Sequence, residues 1–286
     1  MSTTLAPIAV VGATGKQGGA VLTALLDRGV PVRAVVRDAA KADHLAARGV
    51  DVARADLDDG ESLRRAFTGV AAAFAVTTFT GPLGTEGEVA HGRAIADAAH
   101  DTQVPRLVYS SVGAADRATG ILQFESKGQI EQYLHEVGVP TVVIRPTFFM
   151  DNFLNLFIPT IEDGQVILRA PLTFGVPLQM IAVEDIGKAA ATVLLDPAAI
   201  QGGTVEIATD ERTPEAIASS LGAAHGRPGH FDPVPLDAVE DDDFRRMFLW
   251  FTKLPAFQAD MDRTRALVGE VTDFPAFVAR HPIQTS

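Results

Sequence analysis

The stretch IAVVGATGKQGGAVLTALLDRG, Ile8 to Gly29, decides the fold. It opens as an apolar run over 7–11 and passes through three evenly spaced glycines, Gly12, Gly15 and Gly18. It continues as a helical pattern over 17–28, with Val21, Leu22, Leu25 and Leu26 on one face. Glycines between a strand and a helix permit a tight turn, close approach of a ligand to the backbone, and close helix–strand packing. Amides at the helix N-terminus then face outward and favour a diphosphate. The spacing is Gly-x-x-Gly-x-x-Gly, not the Gly-x-Gly-x-x-Gly of ordinary dehydrogenases. Alone, such a turn has a plain structural alternative; the pattern downstream gives it weight.

Outward from the turn, valine-rich runs alternate with helical patterns. Strands are expected at 30–36, 50–55, 70–78, 106–112 and 139–146. Helices are expected at 39–48, from Asp59 onward, over 86–100, and through SKGQIEQYLHEVG to Gly138. Strands apolar on both faces and separated by helices imply a parallel sheet covered on both sides. The fold class is therefore α/β, a Rossmann-type doubly wound parallel sheet. After Pro146 the pattern loosens. A helix is expected over 151–161, another within MIAVEDIGKAAATVLLD, a returning strand at 203–209, and a helix from Thr213-Pro214. The expected division is a dinucleotide-binding domain over 1–155, rejoined by 183–209. Residues 156–182 and 210–286 then form a small C-terminal α/β substrate, partner or lid domain.

Composition narrows the function. The chain has 286 residues, 47% of them hydrophobic, and a formal net charge of −12. An acidic chain without a dense Lys/Arg run repels a phosphate backbone, so direct nucleic-acid binding is not expected. The absence of cysteine excludes disulfides, thiolate metal sites and a catalytic thiol. No apolar run approaches the ~20 residues needed to span a bilayer, and no leader pattern opens the chain. The expectation is a cytoplasmic protein without a membrane association; oligomeric state is not readable. No histidine pair has metal-ligand spacing with a carboxylate, so no metal is expected, and His91 and His135 are expected to be solvated on helices.

The end of the second strand, VRAVVRDAAK, chooses the cofactor. Arg37 stands where an NAD-preferring site usually has a carboxylate, and a guanidinium there can grip a 2′-phosphate bidentately. Lys41 lies one helical turn further on and reaches the same phosphate. The alternative is two solvated surface cations, and Asp38 next door could accept a ribose hydroxyl and admit NAD. The cofactor expected is NADP(H).

Taken together, GATGKQGGAV, VRDAAK, ADLDD, FESKGQIEQYL and IRPTFFMDNFL resemble the NmrA-like family, atypical members of the short-chain dehydrogenase/reductase superfamily. The resemblance is strongest over 7–155 and at IAVEDIGKAA. It implies the cofactor more firmly than a reaction, because the family includes NADP-sensing regulators, quinone reductases and relatives of benzylic ether and isoflavone reductases. By this resemblance Gly12, Thr14, Gly15, Lys16, Gln17 and Gly18 wrap the diphosphate. Asp56 and Leu57 border the adenine, although Asp56 could simply start a loop. Thr77, Thr78 and Phe79 line the ribose and diphosphate, or are an ordinary strand end. Phe149, Met150, Asp151 and Asn152 sit by the nicotinamide, while Phe148, Phe149 and Phe153 also read as core or pocket wall.

Ordinary short-chain dehydrogenases use a serine and a Tyr-x-x-x-Lys pair. Here Ser110 and Ser111 end the fifth strand and Lys127 begins the following helix, but one turn before Lys127 is Gln123. An amide has no useful acidity, so the usual pair is broken. Of the two tyrosines, Tyr133 lies off the helical face of Lys127 and Tyr109 reads as core. Lys127 has three readings: a ribose ligand, a general acid or base with a pKa depressed by burial, or a surface partner of Glu131 at i+4. Two functions follow. One is an NADPH-dependent reductase of a small electrophile such as a quinone or conjugated carbonyl. The other is a catalytically weak NADP(H) redox sensor that regulates a protein partner.

Overall fold

The computed structural model describes residues 5–200 and 202–281, without the side chains of Lys41 and Pro197. The first half alternates strictly. β1 (Ile8–Val11) leads through the glycine turn into α1 (Lys16–Leu26), then β2 (Val32–Val36) and a short α2 (Asp43–Ala46). β3 (Asp51–Arg54) is followed by α3 (Gly60–Phe67), whose first amides bond the Asp59 carboxylate. β4 (Ala72–Val76), α4 (Gly84–Asp101), β5 (Leu107–Ser110), α5 (Leu122–Val137) and β6 (Thr141–Pro146) complete the run. α5 stops at Gly138, which takes the left-handed conformation that only glycine adopts cheaply.

The main sheet is parallel throughout its seven strands. Its seventh strand is β11 (Thr204–Ile207), within the strand expected at 203–209, and the structure pairs it with β6. The order is β11-β6-β5-β4-β1-β2-β3. The chain leaves β1 toward β2 and β3, then crosses back to β4 on the other side of β1. That reversal opens a crevice at the carboxyl ends of β1 and β4.

Alternation along the strands builds two cores. Ile8 and Val10 face one side, with Val21, Leu22 and Leu25 of α1 and Ile186, Ala189 and Ala190 of α6 (Val183–Leu195). Ala9 and Val11 face the other, with Leu63, Phe67, Ile95, Leu107 and Ile130. Both faces are dry, which is why these strands read as continuous apolar runs.

Beyond β6 the structure departs from expectation at 151–161. Instead of a helix, β7 (Phe148–Phe149) leads into a 3-10 turn over Met150–Leu154, and β8 (Thr160–Glu162) pairs antiparallel with β9 (Gln165–Ala170). Pro159 disfavours helix at the residue before it. Asp163 and Gly164 both have positive φ (47° and 79°), the two-residue turn that joins hairpin strands. β7 pairs with β10 (Leu178–Ile181), which also carries β12 (Asp210–Arg212). β9 also carries β13 (Gly229–Pro233). α7 (Pro214–Ala224), α8 (Asp242–Phe251), α9 (Met261–Val268) and α10 (Phe274–Arg280) complete the described chain. A third apolar cluster fills this region, rich in phenylalanine and including Phe148, Phe153, Phe231, Phe251 and Phe274.

Candidate functional site

A cleft of about 860 Å³ opens where the strand order reverses. The glycine turn forms its floor. Gly12 takes φ +69°, and Gly18 packs so closely on the turn that an added Cβ would lie 2.2 Å from the Gly12 carbonyl oxygen. The sequence therefore needs glycine at both positions for the turn itself. Gly15 differs. Its backbone is extended (φ −88°, ψ 175°), which any residue adopts, and it lies exposed in the cleft. α1 has no side-chain N-cap and no acidic residue in its first turn; α4 also lacks a side-chain cap but carries Glu86 in its first turn, and α3, α7, α8, α9 and α10 are each capped by an Asp or Thr side chain. An uncapped helix N-terminus facing a cleft is suited to an anion. Thr14, Lys16 and Gln17 line the same floor, and Gln17 accepts a 2.7 Å bond from the Ser110 hydroxyl.

Arg37 lines one end of the cleft and is exposed. Asp38 does not line it; its carboxylate turns back to cap Ala40 N at 3.1 Å. The Lys41 side chain lies outside the described residues. Asp56 and Leu57 line the cleft after β3, with Asp56 Oδ1 accepting from Asp58 N at 3.2 Å. Thr77, Thr78 and Phe79 line it after β4, and Phe149 lines it from β7.

Met150, Asp151 and Asn152 do not line the cleft. The pairing of β7 with β10 turns the chain away from it. Met150 is fully buried in the phenylalanine-rich core. Asp151 accepts from Val183 N at 2.9 Å, capping α6, and burial pushes its carboxyl above the ordinary range. The Asn152 carbonyl accepts from Leu156 N and Phe157 N.

Lys127 is not on the surface beside Glu131, because Arg145 takes that carboxylate at 3.0 Å. Instead Lys127 is buried at the cleft wall. Its Nζ donates to the Thr77 carbonyl at 2.7 Å and the Thr77 hydroxyl at 3.1 Å, and pairs with Glu88 Oε1 at 2.8 Å. Those three partners use all three ammonium protons. Burial pushes the Lys127 amine below its usual range, and the Glu88 charge works against that shift. Tyr109 is core, as expected, yet polar at its tip: its hydroxyl bonds Thr77 Oγ1 at 2.9 Å, and burial raises its pKa well above the ordinary value. Ser111 lines the cleft at the end of β5, and its buried hydroxyl has no hydrogen-bond partner among the described residues. Gln123 also lines the cleft, its amide toward the Met247 sulfur of α8 at 3.6 Å. Asp243 of α8 accepts from Leu122 N and Gln123 N at 2.6 and 3.2 Å, fastening α8 to the start of α5.

Glu88 and His91 are the polar cleft residues of α4 that the sequence did not single out as site residues. Glu88 is completely buried, and His91 lines the cleft and meets Asp58 at 3.1 Å rather than standing free in solvent. The signal was a helical stripe: Gly84, Gly87, Glu88 and His91 follow i, i+3, i+4, i+7 spacing on the face where α4 should bury apolar side chains. Among the described residues no group of three His, Asp or Glu is placed to hold a metal, and no helix is long and apolar enough to cross a membrane.

A parallel sheet with a glycine turn and an uncapped helix N-terminus at its switch point defines a dinucleotide-binding α/β protein of the Rossmann type. More narrowly, the chain belongs to the NmrA-like family, a model of which matches residues 5–274. It is 33% identical over 235 residues to an NAD(P)H azoreductase of Xenophilus azovorans, covering 82% of this chain and 79% of that protein. An NADPH-dependent quinone oxidoreductase from Escherichia coli, crystallised with NADPH, superposes with a TM-score of 0.80 at 24% identity, covering 97% of this chain and 100% of that one. Nmra, a negative transcriptional regulator, superposes with a TM-score of 0.82 at 23% identity, covering 98% and 96%. The two superpositions show the shared fold.

Proposed function

We propose that the protein is an NADPH-dependent oxidoreductase that reduces a small electrophile such as a quinone or conjugated carbonyl. The observation that carries this is one cleft with three graded surfaces. Arg37 stands at one end, the open amides of α1 at the centre, and the buried Lys127 with Ser111 and Phe149 also on its wall. The exposed Gly15 leaves the approach to those amides clear of a side chain. Gly12 to Gly18 hold the diphosphate, Arg37 and Lys41 the 2′-phosphate, Asp56 and Leu57 the adenine side, and Thr77 to Phe79 the ribose side. Phe149 and Lys127 border the nicotinamide. The bound cofactor supplies hydride. The family membership and the azoreductase relative support this reading. A cytoplasmic setting, where reduced nicotinamide is regenerated, fits it.

The chain's own acid is weak. Gln123 has no acidity and Lys127 has no uncommitted proton, so an acceptor whose reduced anion needs little protonation suits the site. The Ser111 hydroxyl offers one donor to a developing oxyanion. The same two observations favour a second reading, an NADP(H) sensor that regulates a protein partner. Steady-state NADPH oxidation with quinone, enone and azo acceptors separates the two. Quinone-dependent oxidation above the buffer rate is expected. Tight NADPH binding with no turnover on any of the three would replace the reductase with the sensor.

A further inference from the structure

We propose that Glu88 is the positioning residue of the cleft: its carboxylate fixes the Lys127 ammonium against the Thr77 carbonyl and thereby holds the cofactor-facing turn after β4. The inference rests on the reading of this cleft as the NADP(H) site. The Thr77 carbonyl lies just beyond the last residue of β4, so it needs a donor other than the strand ladder, and Lys127 Nζ supplies one at 2.7 Å. The chain then turns through Thr78 and Thr80, whose hydroxyls bond one another at 2.9 Å, along the cleft wall.

Glu88 is built into that anchor from every side. Its Oε1 meets Lys127 Nζ at 2.8 Å and accepts from the Thr77 hydroxyl at 3.2 Å. Its Oε2 accepts from the Ser126 hydroxyl at 2.6 Å. The donors form one consistent set: Tyr109 to Thr77 Oγ1, Thr77 to Glu88, Ser126 to Glu88, and Lys127 to Thr77 and Glu88. Ordering a fully buried carboxylate and a nearly buried ammonium costs more in desolvation than an apolar pair would, so packing alone gives no reason for them. What the pair does is join three elements, α4, α5 and the end of β4, at one atom on the cleft wall.

Glu88 is the carboxylate that Lys127 touches, and Glu131 adds a smaller pull in the same direction. Glu131, on the same helix, is held by Arg145, and His91 on α4 is held by Asp58. Tyr109 of β5 presents its ring, 5.7 Å from Nζ, and stays neutral because burial raises its pKa.

The test is Glu88→Gln, with the Lys127 amine titrated by carbon-13 NMR of labelled lysine in the protein without cofactor. Loss of a neighbouring opposite charge lowers a lysine pKa by about 1–3 units. A fall of one unit or more is expected, because burial is then opposed only by the weaker pull of Glu131 and by the Thr77 acceptors. An unchanged midpoint overturns the proposal, and this readout stands whether or not the protein binds NADPH. If Glu88→Gln fails to fold, the double variant Lys127→Met/Glu88→Gln, which removes both buried charges, is compared with Lys127→Met alone by NADPH titration. Equal affinities are expected if Glu88 acts through Lys127. A further loss in the double variant shows Glu88 acting on its own and overturns the proposal. Absence of NADPH binding by the unmodified protein fails the cofactor reading alone, because the lysine titration of Glu88→Gln needs no cofactor.

Discussion

Gly18→Ala and Gly19→Ala make the same chemical change one residue apart in α1, and the structure gives them opposite signs. An alanine Cβ at position 18 would stand 2.2 Å from the Gly12 oxygen, 2.6 Å from its carbonyl carbon and 3.0 Å from Ala13 N. All three atoms are backbone, and ordinary contact begins near 3.4 Å, so the turn and the helix must part by more than 1 Å. Gly12 is tied to β2 through its N–H to the Val35 carbonyl at 3.2 Å, so that movement strains the sheet edge of the turn. Overpacking of this kind costs about 1–3 kcal/mol. At roughly 2–4 °C per kcal/mol for a large domain, Tm should fall by about 2–12 °C. The same displacement reshapes the proposed diphosphate cradle, so NADPH should no longer raise Tm. At position 19 the nearest atom is the Ala13 oxygen at 3.5 Å, an ordinary contact. There alanine should gain up to about 1 kcal/mol of helix propensity and leave NADPH binding intact. Differential scanning calorimetry of both variants, with and without NADPH, measures all four values. A Gly18→Ala protein that melts no lower than Gly19→Ala and still responds to NADPH would refute the close-packing argument.

Arg37→Ala should weaken NADPH binding about 10–100-fold, the range expected for losing charged hydrogen bonds worth ~1.5–3 kcal/mol, and leave NADH nearly unchanged; equal losses for both cofactors in paired titrations would show that Arg37 does not read the 2′-phosphate. Glu162 is held by Arg169 and by the Thr160 hydroxyl, which bring its carboxyl down to about 2. Its contribution to stability is therefore present above the ordinary glutamate range and lost as pH falls toward 2. Carboxyl NMR should find Glu162 ionised at about pH 3, with Arg169→Ala returning its midpoint toward the usual range; an ordinary midpoint in the unmodified protein would remove the β8–β9 ion pair from the account.

The sheet was legible because its physics is local. Strands buried on both faces read as apolar runs, and Asp59, Thr213 and Gly138 mark helix ends by capping chemistry that their neighbours also obey. The strand-end residues of the site followed, since a doubly wound sheet places Gly12, Arg37, Asp56 and Thr77 at one edge whatever their long-range partners. The residues after β6 were less legible. Met150, Asp151 and Asn152 follow a strand end in the sequence, but a nonlocal pairing, Phe148 with Met180, carries them away from the cleft. The hairpin at Asp163-Gly164 was written in the sequence as a turn dipeptide, and the apolar residues before it disguised it as the end of a helix. Glu88 and Lys127 meet across 39 positions of sequence, between two helices whose facing is set only when both dock on the sheet.

The claim that this cleft holds NADP(H) is tested most directly by calorimetric titration of NADPH into the unmodified protein and into Gly15→Val. The backbone at Gly15 suits valine, and an added Cβ meets only the Gly12 oxygen, at 3.2 Å, a tight contact relieved by a shift of a few tenths of an ångström, so the fold should survive with a modest fall in Tm. The rest of the side chain would occupy the space above the α1 amides. The account predicts saturable NADPH binding by the unmodified protein and no measurable binding heat for Gly15→Val at the same concentrations. Near-normal NADPH affinity in Gly15→Val, or none in the unmodified protein, would contradict it.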